Sequence, residues 1–269
     1  MRKTILTLVL GFWAGGAISA ASAQDAYDFP GDRRAALALT YDDALDSHLD
    51  TVLPALEAHG FKGTFYLTLE RPAFTDRIPE WRTAAAEGHE LGNHTLYHPC
   101  MGSRPDRDWI VPEADLDLYT VERMRREVVM ANMILKLIDG EDERSFAYPC
   151  GESTAGGESY VEAIAPYFVS ARGVQEAAST LDGGEIDFYR LASYAHSDVT
   201  GDELIAYAEE VLASGGVGTI TFHGIGAEYL SVSAEAHGEL LAWLDAHRDE
   251  IWVDTVKAIS LHLKETDTE

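Results

Sequence analysis

The stretch ALALTYDDALDSH, residues 36–48, places two adjacent acids at the end of an apolar run. The run before Asp42 has the apolar, β-branched and aromatic composition of a buried strand. An Asp pair that ends a strand is typical of a turn, because the Asp side chain can bond its own backbone. The pair has a chemical role only if other reactive side chains end neighbouring strands.

Short apolar segments alternate with longer helical patterns after residue 32, which indicates βα units around a parallel sheet. The helical segment 121–139 is clearly bounded, because Thr120 is a good N-cap and Gly140 a good C-terminal stop. We expect one α/β domain, built as an open sheet or as a barrel, with ligand sites at the carboxyl ends of the strands. The predicted strands cover residues 35–41, 63–69, 89–94, 144–149, 168–172, 188–194, 217–223 and the start of 251–263.

The chain begins with the pattern of a secretory signal peptide. Two basic residues precede an apolar run, and the small residues that follow it predict cleavage after Ala23. We therefore expect a signal peptide at residues 1–23, a catalytic domain at residues 24–269, and a periplasmic or secreted protein. No later segment approaches the roughly 18 apolar residues that span a bilayer, so no membrane contact is expected after cleavage.

The formal net charge is −26, and it becomes −28 when cleavage removes Arg2 and Lys3. A chain this acidic repels phosphate backbones, so nucleic acid is not an expected partner. The acids are scattered along the chain, and we interpret them as a solvated surface. We also expect a monomer.

His94 and His98 lie four residues apart, just after the third predicted strand. One helical turn, or a loop with the same effect, can bring two such imidazoles to one metal ion. An Asp from another strand end completes a set of two His and one carboxylate, which is a common mononuclear Zn²⁺ or Fe²⁺ site. This set leaves coordination positions open for water and substrate, as in a catalytic site.

Four segments, in chain order, resemble the motifs of a known family. They are TYDDA at 40–44, HTLYHP at 94–99, FAYPCG at 146–151 and TFHG at 221–224. Together they are similar to the polysaccharide deacetylases of carbohydrate esterase family 4, the NodB-homology domain. The resemblance implies a distorted (β/α) barrel of about seven units in a single domain. It also implies a metal-dependent hydrolase that removes acetyl groups from an N- or O-acetylated polysaccharide.

The same resemblance implies a role for each matched residue. The implied ligands of one divalent metal ion are Asp43, His94 and His98. That ion is usually Zn²⁺, although the ligands also suit Co²⁺, Ni²⁺ or Mn²⁺. Asp42 corresponds to the general base that activates a metal-bound water, and His223 to the general acid. The backbone N–H of Cys150 corresponds to a donor that helps to hold the oxyanion.

The chain departs from the family pattern in its third and fourth motifs. Ala147 stands where the family carries an Arg that orients the catalytic Asp, and Cys150 stands where it carries a Tyr. Arg172, at the end of the next predicted strand, is a candidate substitute for that Arg, and an ordinary surface Arg is the alternative. The fourth motif has no clear counterpart, and His196 and Asp198 are candidates for part of its role.

Cys100 and Cys150 flank the implied metal site. In an exported protein we expect them to form a disulfide that ties the long connection 99–119 to that site. Trp109, within this connection, is a candidate platform for sugar rings, with a plain surface position as the alternative.

Two other functions remain open. One is a C–N hydrolase of small amides on the same fold, although the signal peptide disfavours this reading. The other is a non-catalytic carbohydrate-binding relative, which the departures from the family pattern allow. The retained acids and histidines argue against a binding protein, because binding requires neither a base nor an acid. The sequence leaves open the polysaccharide, the acyl position on nitrogen or oxygen, and the metal.

Overall fold

The computed structural model describes residues 27, 29–174 and 186–266. The predicted signal peptide, residues 1–23, lies outside these residues, so its cleavage stays a prediction. Within the described ranges, no helix combines the length and the apolar character needed to cross a membrane.

The strands follow one another along the chain as the alternating pattern predicts. Their bounds are β1 Ala35–Asp42, β2 Thr64–Leu67, β3 Glu90–Asn93, β4 Phe146–Ala147, β5 Thr154–Ala155, β6 Glu158–Ser159, β7 Ala171–Arg172, β8 Tyr194–Ala195, β9 Val217–Phe222 and β10 Ile251–Val253. All but β5 and β6 belong to one parallel sheet with the order β7-β4-β3-β2-β1-β9-β8, and β10 pairs with the start of β1. Strand β1 lies inside this sheet and is buried along its whole length, which explains its nearly continuous apolar run.

The two ends of the sheet are joined by the segment 188–195. Leu191 forms a parallel bridge with Arg172 of β7, and the N–H of Gly173 donates to the Leu191 carbonyl at 2.9 Å. Three residues after Leu191, β8 begins and pairs with β9. The sheet therefore curves back on itself, which confirms the predicted distorted (β/α) barrel of about seven units.

Helices surround the sheet. Their bounds are α1 Leu53–His59, α2 Pro72–Thr75, α3 Ile78–Ala86, α4 Val121–Asp139, α5 Val161–Ile164, α6 Gly201–Ser214, α7 Ala234–Ala246 and α8 Val256–Thr266. Helix α4 has the predicted bounds, because the Thr120 hydroxyl accepts from the Arg123 N–H and Gly140 ends the helix in the left-handed conformation. A π-helical turn, His48–Val52, leads into α1.

The sequence ESYVEAIAPY, residues 158–167, predicts one helix, and the structure of the segment 151–167 differs from that prediction. Strands β5 and β6 form an antiparallel hairpin, and only the short α5 and a following 3₁₀ turn are helical. Gly156 and Gly157 have φ values of 56° and 83° and form the hairpin turn. A Gly-Gly pair is a known signal for this turn, so the hairpin was readable from the sequence.

The core beneath the carboxyl ends of the strands is aromatic. The Tyr41 ring stacks on Phe65 at 5.1 Å and on Phe222 at 5.4 Å, and all three are buried. These residues belong to three adjacent strands, β2, β1 and β9. These packed rings lie beneath the side chains that follow each strand and support them.

Candidate metal centre and active site

The Asp pair of the opening stretch lies where β1 breaks into a loop. Asp42 is the last residue of the strand, whereas Asp43 and Ala44 have φ values of 80° and 54°. Adjacent strand residues would point to opposite faces, but this change of backbone conformation lets both carboxylates line one cavity. Positive φ values are uncommon for residues other than Gly and cluster at functional sites.

The two histidines lie on a loop after β3 and not on a helix. The Asn93 side chain accepts from the Thr95 N–H at 2.8 Å, and the Thr95 hydroxyl accepts from the His98 N–H at 2.9 Å. Thr95 and His98 both have positive φ values, 70° and 49°. This chain of hydrogen bonds turns both imidazoles toward the end of β1, and their rings lie 4.7 Å apart.

The predicted ligand atoms converge on one point. Oδ1 of Asp43 lies 3.4 Å from Nε2 of His94 and 3.2 Å from Nε2 of His98. Among the residues that the structure describes, these three form a cluster compatible with one metal ion, and Asp43 Oδ1 is buried without a hydrogen-bond partner.

A second buried carboxylate, that of Glu90, differs from Asp43 because protein groups satisfy both of its oxygens, as expected for a structural role. Glu90, at the start of β3, accepts hydrogen bonds on both oxygens, from the Ser145 N–H at 2.7 Å and the Lys257 N–H at 2.9 Å among others. A buried polar atom without a partner is costly, so the unsatisfied oxygen of Asp43 suits coordination to a cation. The donor set therefore fits the divalent metal that the sequence predicts.

Hydrogen bonds fix how His94 faces this point. Its Nδ1–H donates to the Ala147 carbonyl at 2.9 Å, so its Nε2 keeps the lone pair that a metal requires. Burial alone would lower the pKa of His94, but the Asp42 and Asp43 carboxylates outweigh burial and raise it. Burial lowers the pKa of His98 to about 4, which keeps that imidazole neutral. For Asp43, burial would raise the pKa, but the two imidazoles hold it well below its ordinary value.

Arg172 supplies the charge partner that the third motif lacks. Its Nη2 donates to Oδ1 of Asp42, and both side chains are buried. Arg172 is the register partner of Ala147 across β7 and β4, so the guanidinium comes from the neighbouring strand at the same level. The Tyr66 ring supports it, 4.6 Å from the guanidinium carbon. Burial would raise the pKa of Asp42, but Arg172 and His94 outweigh burial and lower it.

His223 follows β9 and faces the same cavity. Its Nε2 lies 3.8 Å from Oδ2 of Asp43, and its backbone carbonyl accepts from Nε2 of the buried His48 at 3.0 Å. In the described part of the chain, no hydrogen bond or ion pair joins His223 to His196 or Asp198. Neither candidate for the fourth motif therefore holds the side chain of His223.

Cys100 and Cys150 are joined by a disulfide, as predicted. Cys150 lies in the turn after β4 with φ 56°, and it lines the cavity. The disulfide fastens the connection 99–119 beside His98, whose Nδ1 lies 3.5 Å from the Cys100 sulfur. Glu152 fastens the same connection by accepting from the Met101 N–H at 2.6 Å.

The cavity above these residues has a volume of about 570 Å³. Trp109 lies on its wall and is 60% exposed, as a sugar platform requires, while the Arg107 guanidinium lies 5.6 Å from its ring centre. Trp243 and Trp252 are half-buried and belong to the packing around the core.

Tyr229 and Arg71 are site residues that the sequence analysis missed. The Tyr229 hydroxyl donates to Oδ2 of Asp43 at 2.8 Å. Arg71 follows β2, lines the cavity and lies 3.4 Å from the Tyr229 hydroxyl through Nη2. Tyr229 stands outside the quoted motifs, in the loop that follows TFHG, so only the folded loop reveals its contact with Asp43.

A family model described as polysaccharide deacetylase matches residues 31–164, which include the first three of the four motifs. The chain belongs to the polysaccharide deacetylase family. The match covers Asp42, Asp43, both imidazoles and the turn at Cys150, whereas His223 lies beyond it.

Two curated proteins resemble this deacetylase-family chain over part of their length. A gellan lyase of a Bacillus species is 25% identical over 88% of this chain, which spans only 10% of that protein. A peptidoglycan-N-acetylglucosamine deacetylase of Bacillus cereus is 29% identical over 47% of this chain and 41% of its own length. The chain thus spans less than half of either relative.

Among solved structures, a candidate polysaccharide deacetylase from Mycobacterium smegmatis has a similar fold. The TM-score is 0.60 at 16% identity, and the superposition covers 89% of this chain and 93% of that one. At this identity the likeness concerns the fold, and the architecture of this deacetylase-family chain is that of the family.

Proposed function

We propose that this chain is a metal-dependent hydrolase that removes acetyl groups from an acetylated polysaccharide. The main support is the unsatisfied, buried Oδ1 of Asp43, which two imidazole nitrogens face within 3.4 Å. Membership of the polysaccharide deacetylase family supports the reaction type. The open cavity with an exposed Trp on its wall suits a chain of sugar rings.

Asp43, His94 and His98 would hold the metal ion, and Zn²⁺ suits this set of two His and one carboxylate. When bound, a divalent cation polarises the acetyl carbonyl and makes a nearby water more acidic. Tyr229 and the Ala147 carbonyl orient two of the ligands through the hydrogen bonds described above.

Asp42 is the proposed general base. Arg172 engages its Oδ1, which leaves Oδ2 as the oxygen that accepts a proton from the attacking water. Because the pKa of Asp42 is lowered, the carboxylate is ionised at neutral pH and ready to accept that proton. Arg172 also fixes the plane of the carboxylate, since its own side chain is fully buried.

His223 is the proposed general acid. Its Nε2 lies 3.8 Å from Oδ2 of Asp43, and it would donate a proton to the leaving nitrogen or oxygen of the sugar. The Cys150 N–H would donate to the carbonyl oxygen as that atom gains negative charge, and one such donor is typically worth about 3 kcal/mol. The products are acetate and a sugar with a free amine or hydroxyl.

We further propose that the protein acts in the periplasm or outside the cell. The disulfide between Cys100 and Cys150 supports this, because such bonds persist in oxidising compartments. Mass spectrometry of the mature N-terminus tests the accompanying cleavage after Ala23, which an intact leader on the exported protein would contradict.

Acetate release is the test of the proposed reaction. We expect release from at least one of acetylated xylan, N-acetylglucosamine oligomers and peptidoglycan, its loss on chelation, and its recovery with Zn²⁺ or Co²⁺. Asp42→Asn should reduce release by more than a hundredfold while the protein still binds the metal. Release from small amides alone would indicate the small-amide hydrolase instead. Glycan binding without any release would indicate a binding protein.

A further inference from the structure

The cavity wall carries a cation, Arg71, that the proposed reaction does not use. Arg71 precedes α2 and is partly buried beside the catalytic side chains. Its guanidinium lies 6.0 Å from the centre of the Tyr229 ring, and the same Tyr229 donates to Asp43. A group bound to Arg71 would therefore lie next to the reacting acetyl group.

Arg71 lacks an anionic partner within the described residues. No carboxylate lies within ion-pair distance of it, its Nε is buried without an acceptor, and its Nη2 makes only the long contact to Tyr229. The chain has 46 acidic residues against 20 Lys and Arg, so carboxylates are abundant. Arg77, six residues later, binds three of them. An unpaired, partly buried Arg costs desolvation energy that a ligand anion would offset.

The metal centre does not supply that anion. Without a metal, the charges of Asp42, Asp43 and Arg172 sum to one negative charge. A bound divalent cation changes the net charge of this group to one positive charge. The metal centre then does not attract the Arg71 guanidinium. Arg107, the other cation on the wall, already shares Glu152 at 3.8 Å. The loaded cavity is therefore electropositive inside a strongly acidic protein.

We propose that Arg71 binds a carboxylate of the substrate, so that the polysaccharide is an acidic one that carries carboxylated sugars beside its acetylated sugars. This inference rests on the proposed function for the identity of the ligand as substrate. A carboxylate satisfies the guanidinium donors in the planar geometry that Arg prefers. The acidic protein surface does not attract an acidic polysaccharide. At 0.15 M salt, however, the field of that surface extends only about 8 Å, so the direct contact between Arg71 and the carboxylate decides the binding.

The test compares two forms of one probe. The first is a tetrasaccharide of alternating N-acetylglucosamine and glucuronate, and the second is the same tetrasaccharide with its carboxylates converted to primary amides. Acetate release and calorimetric binding are measured for both, with metal bound, for the unsubstituted protein, Arg71→Gln and Arg71→Lys. Arg82→Gln is the matched control, because Arg82 is exposed and lies outside the cavity wall.

We expect the unsubstituted protein and Arg82→Gln to prefer the carboxylate form. Arg71→Gln should reduce that preference about tenfold to a hundredfold, mainly through KM and Kd, and Arg71→Lys should retain part of it. Thermal unfolding of each variant reports whether it folds. An equal preference for both forms, or a preference that survives in Arg71→Gln, would overturn the inference. If Arg71→Gln instead reduces acetate release equally for the carboxylate and amide forms, Arg71 does not bind the carboxylate. It would then act on the transition state or by positioning Tyr229.

The outcome separates this inference from the proposed function. Release of acetate from the amide form, with no dependence on Arg71, retains the hydrolase and rejects the carboxylate site. Binding that prefers the carboxylate and depends on Arg71, with no acetate released from any glycan, retains the site and rejects the hydrolase.

Discussion

Arg172 donates from Nη2 to Oδ1 of Asp42, and it does so from the strand next to the one that carries the arginine in the family pattern. Ala147 and Arg172 are register partners in the parallel sheet, so an Arg side chain from either strand starts at the same level of the barrel. The charge is thus retained although the residue has changed position. Each position that the proposed mechanism assigns to the base, a metal ligand or the charge partner of the base therefore carries a side chain that suits the role.

Removing Arg172 should make catalysis sensitive to acid. Arg172→Met leaves Asp42 without the charge that helps to lower its pKa, so the pKa rises and the acidic limb of the kcat/KM profile moves to higher pH. An unpaired buried carboxylate also costs about 3–5 kcal/mol of stability, which unfolding measurements monitor. An acidic limb at an unchanged pH would show that Arg172 does not act through Asp42.

The control for this variant restores the family arrangement. Ala147→Arg in an Arg172→Ala background places the guanidinium on β4 again, in the space that Arg172 vacates. Recovery of part of the lost activity is the expected result, and Ala147→Leu in the same background should give none.

Tyr229→Phe should weaken metal binding. The Tyr229 hydroxyl donates to Oδ2 of Asp43 at 2.8 Å and orients the carboxylate, and loss of such a partner typically costs about 10–100-fold in metal affinity. Competition with a chromophoric chelator measures the change, and Tyr167→Phe serves as the control, because Tyr167 lies outside the wall of the site cavity. An unaltered affinity would remove Tyr229 from the metal site.

The disulfide should stabilise the fold through the unfolded state. Cys100 and Cys150 are 50 residues apart, and a cross-link over a loop of this size is worth about 4 kcal/mol in the chain-entropy model. The Cys100→Ala, Cys150→Ala double variant should lose about 2–4 kcal/mol of unfolding free energy in denaturant. Reductant should destabilise the original protein to a similar degree and leave the variant unaffected. Equal stability of the two proteins without reductant would contradict this account.

Buried histidines should make the stability depend on pH. His237 is buried against Tyr41, whose hydroxyl lies 2.8 Å from Nε2, and burial lowers its pKa to about 4. The unfolded state, with a His pKa of about 6.5, binds more protons between these values. The contribution of neutral His237 to the free energy of unfolding is therefore complete above about pH 6.5. It is lost as the pH falls toward 4, by roughly 1–3 kcal/mol.

Denaturant unfolding of metal-free protein between pH 7.5 and 4 measures this dependence. His237→Gln should flatten part of the slope, while His48, His89 and His98, whose pKa values burial also lowers to about 4, retain the rest. A stability that is constant or that increases toward pH 4 would be inconsistent with these buried neutral imidazoles.

Local signals made much of the fold predictable. Helix α4 was bounded correctly, because its cap residue and its terminal Gly act within one turn of the chain. The two-residue strands β4 and β7 were predicted too long, because their pairing depends on neighbouring strands rather than on their own composition. The Gly156-Gly157 pair was a local signal for a hairpin turn. The prediction of a helix at 158–167 did not take this signal into account.

The residues of the candidate site also fall into two groups: those that local sequence signals predict and those that depend on the fold. Asp42, Asp43, His94 and His98 follow directly from strand ends and spacing, and the structure brings them together. The pairing of Arg172 with Asp42 requires the register of two strands, which sequence alone left as an even choice. Tyr229 and Arg71 reach the site from irregular loops, where no periodic pattern exists to place a side chain.

Anomalous X-ray diffraction from crystals grown with Zn²⁺, recorded on both sides of the zinc absorption edge, tests the central claim most directly. The account predicts one strong peak in contact with Oδ1 of Asp43 and Nε2 of both His94 and His98, and the absence of this peak in Asp43→Asn. A peak bound elsewhere in the cavity, or none while the three side chains keep their present positions, would contradict it.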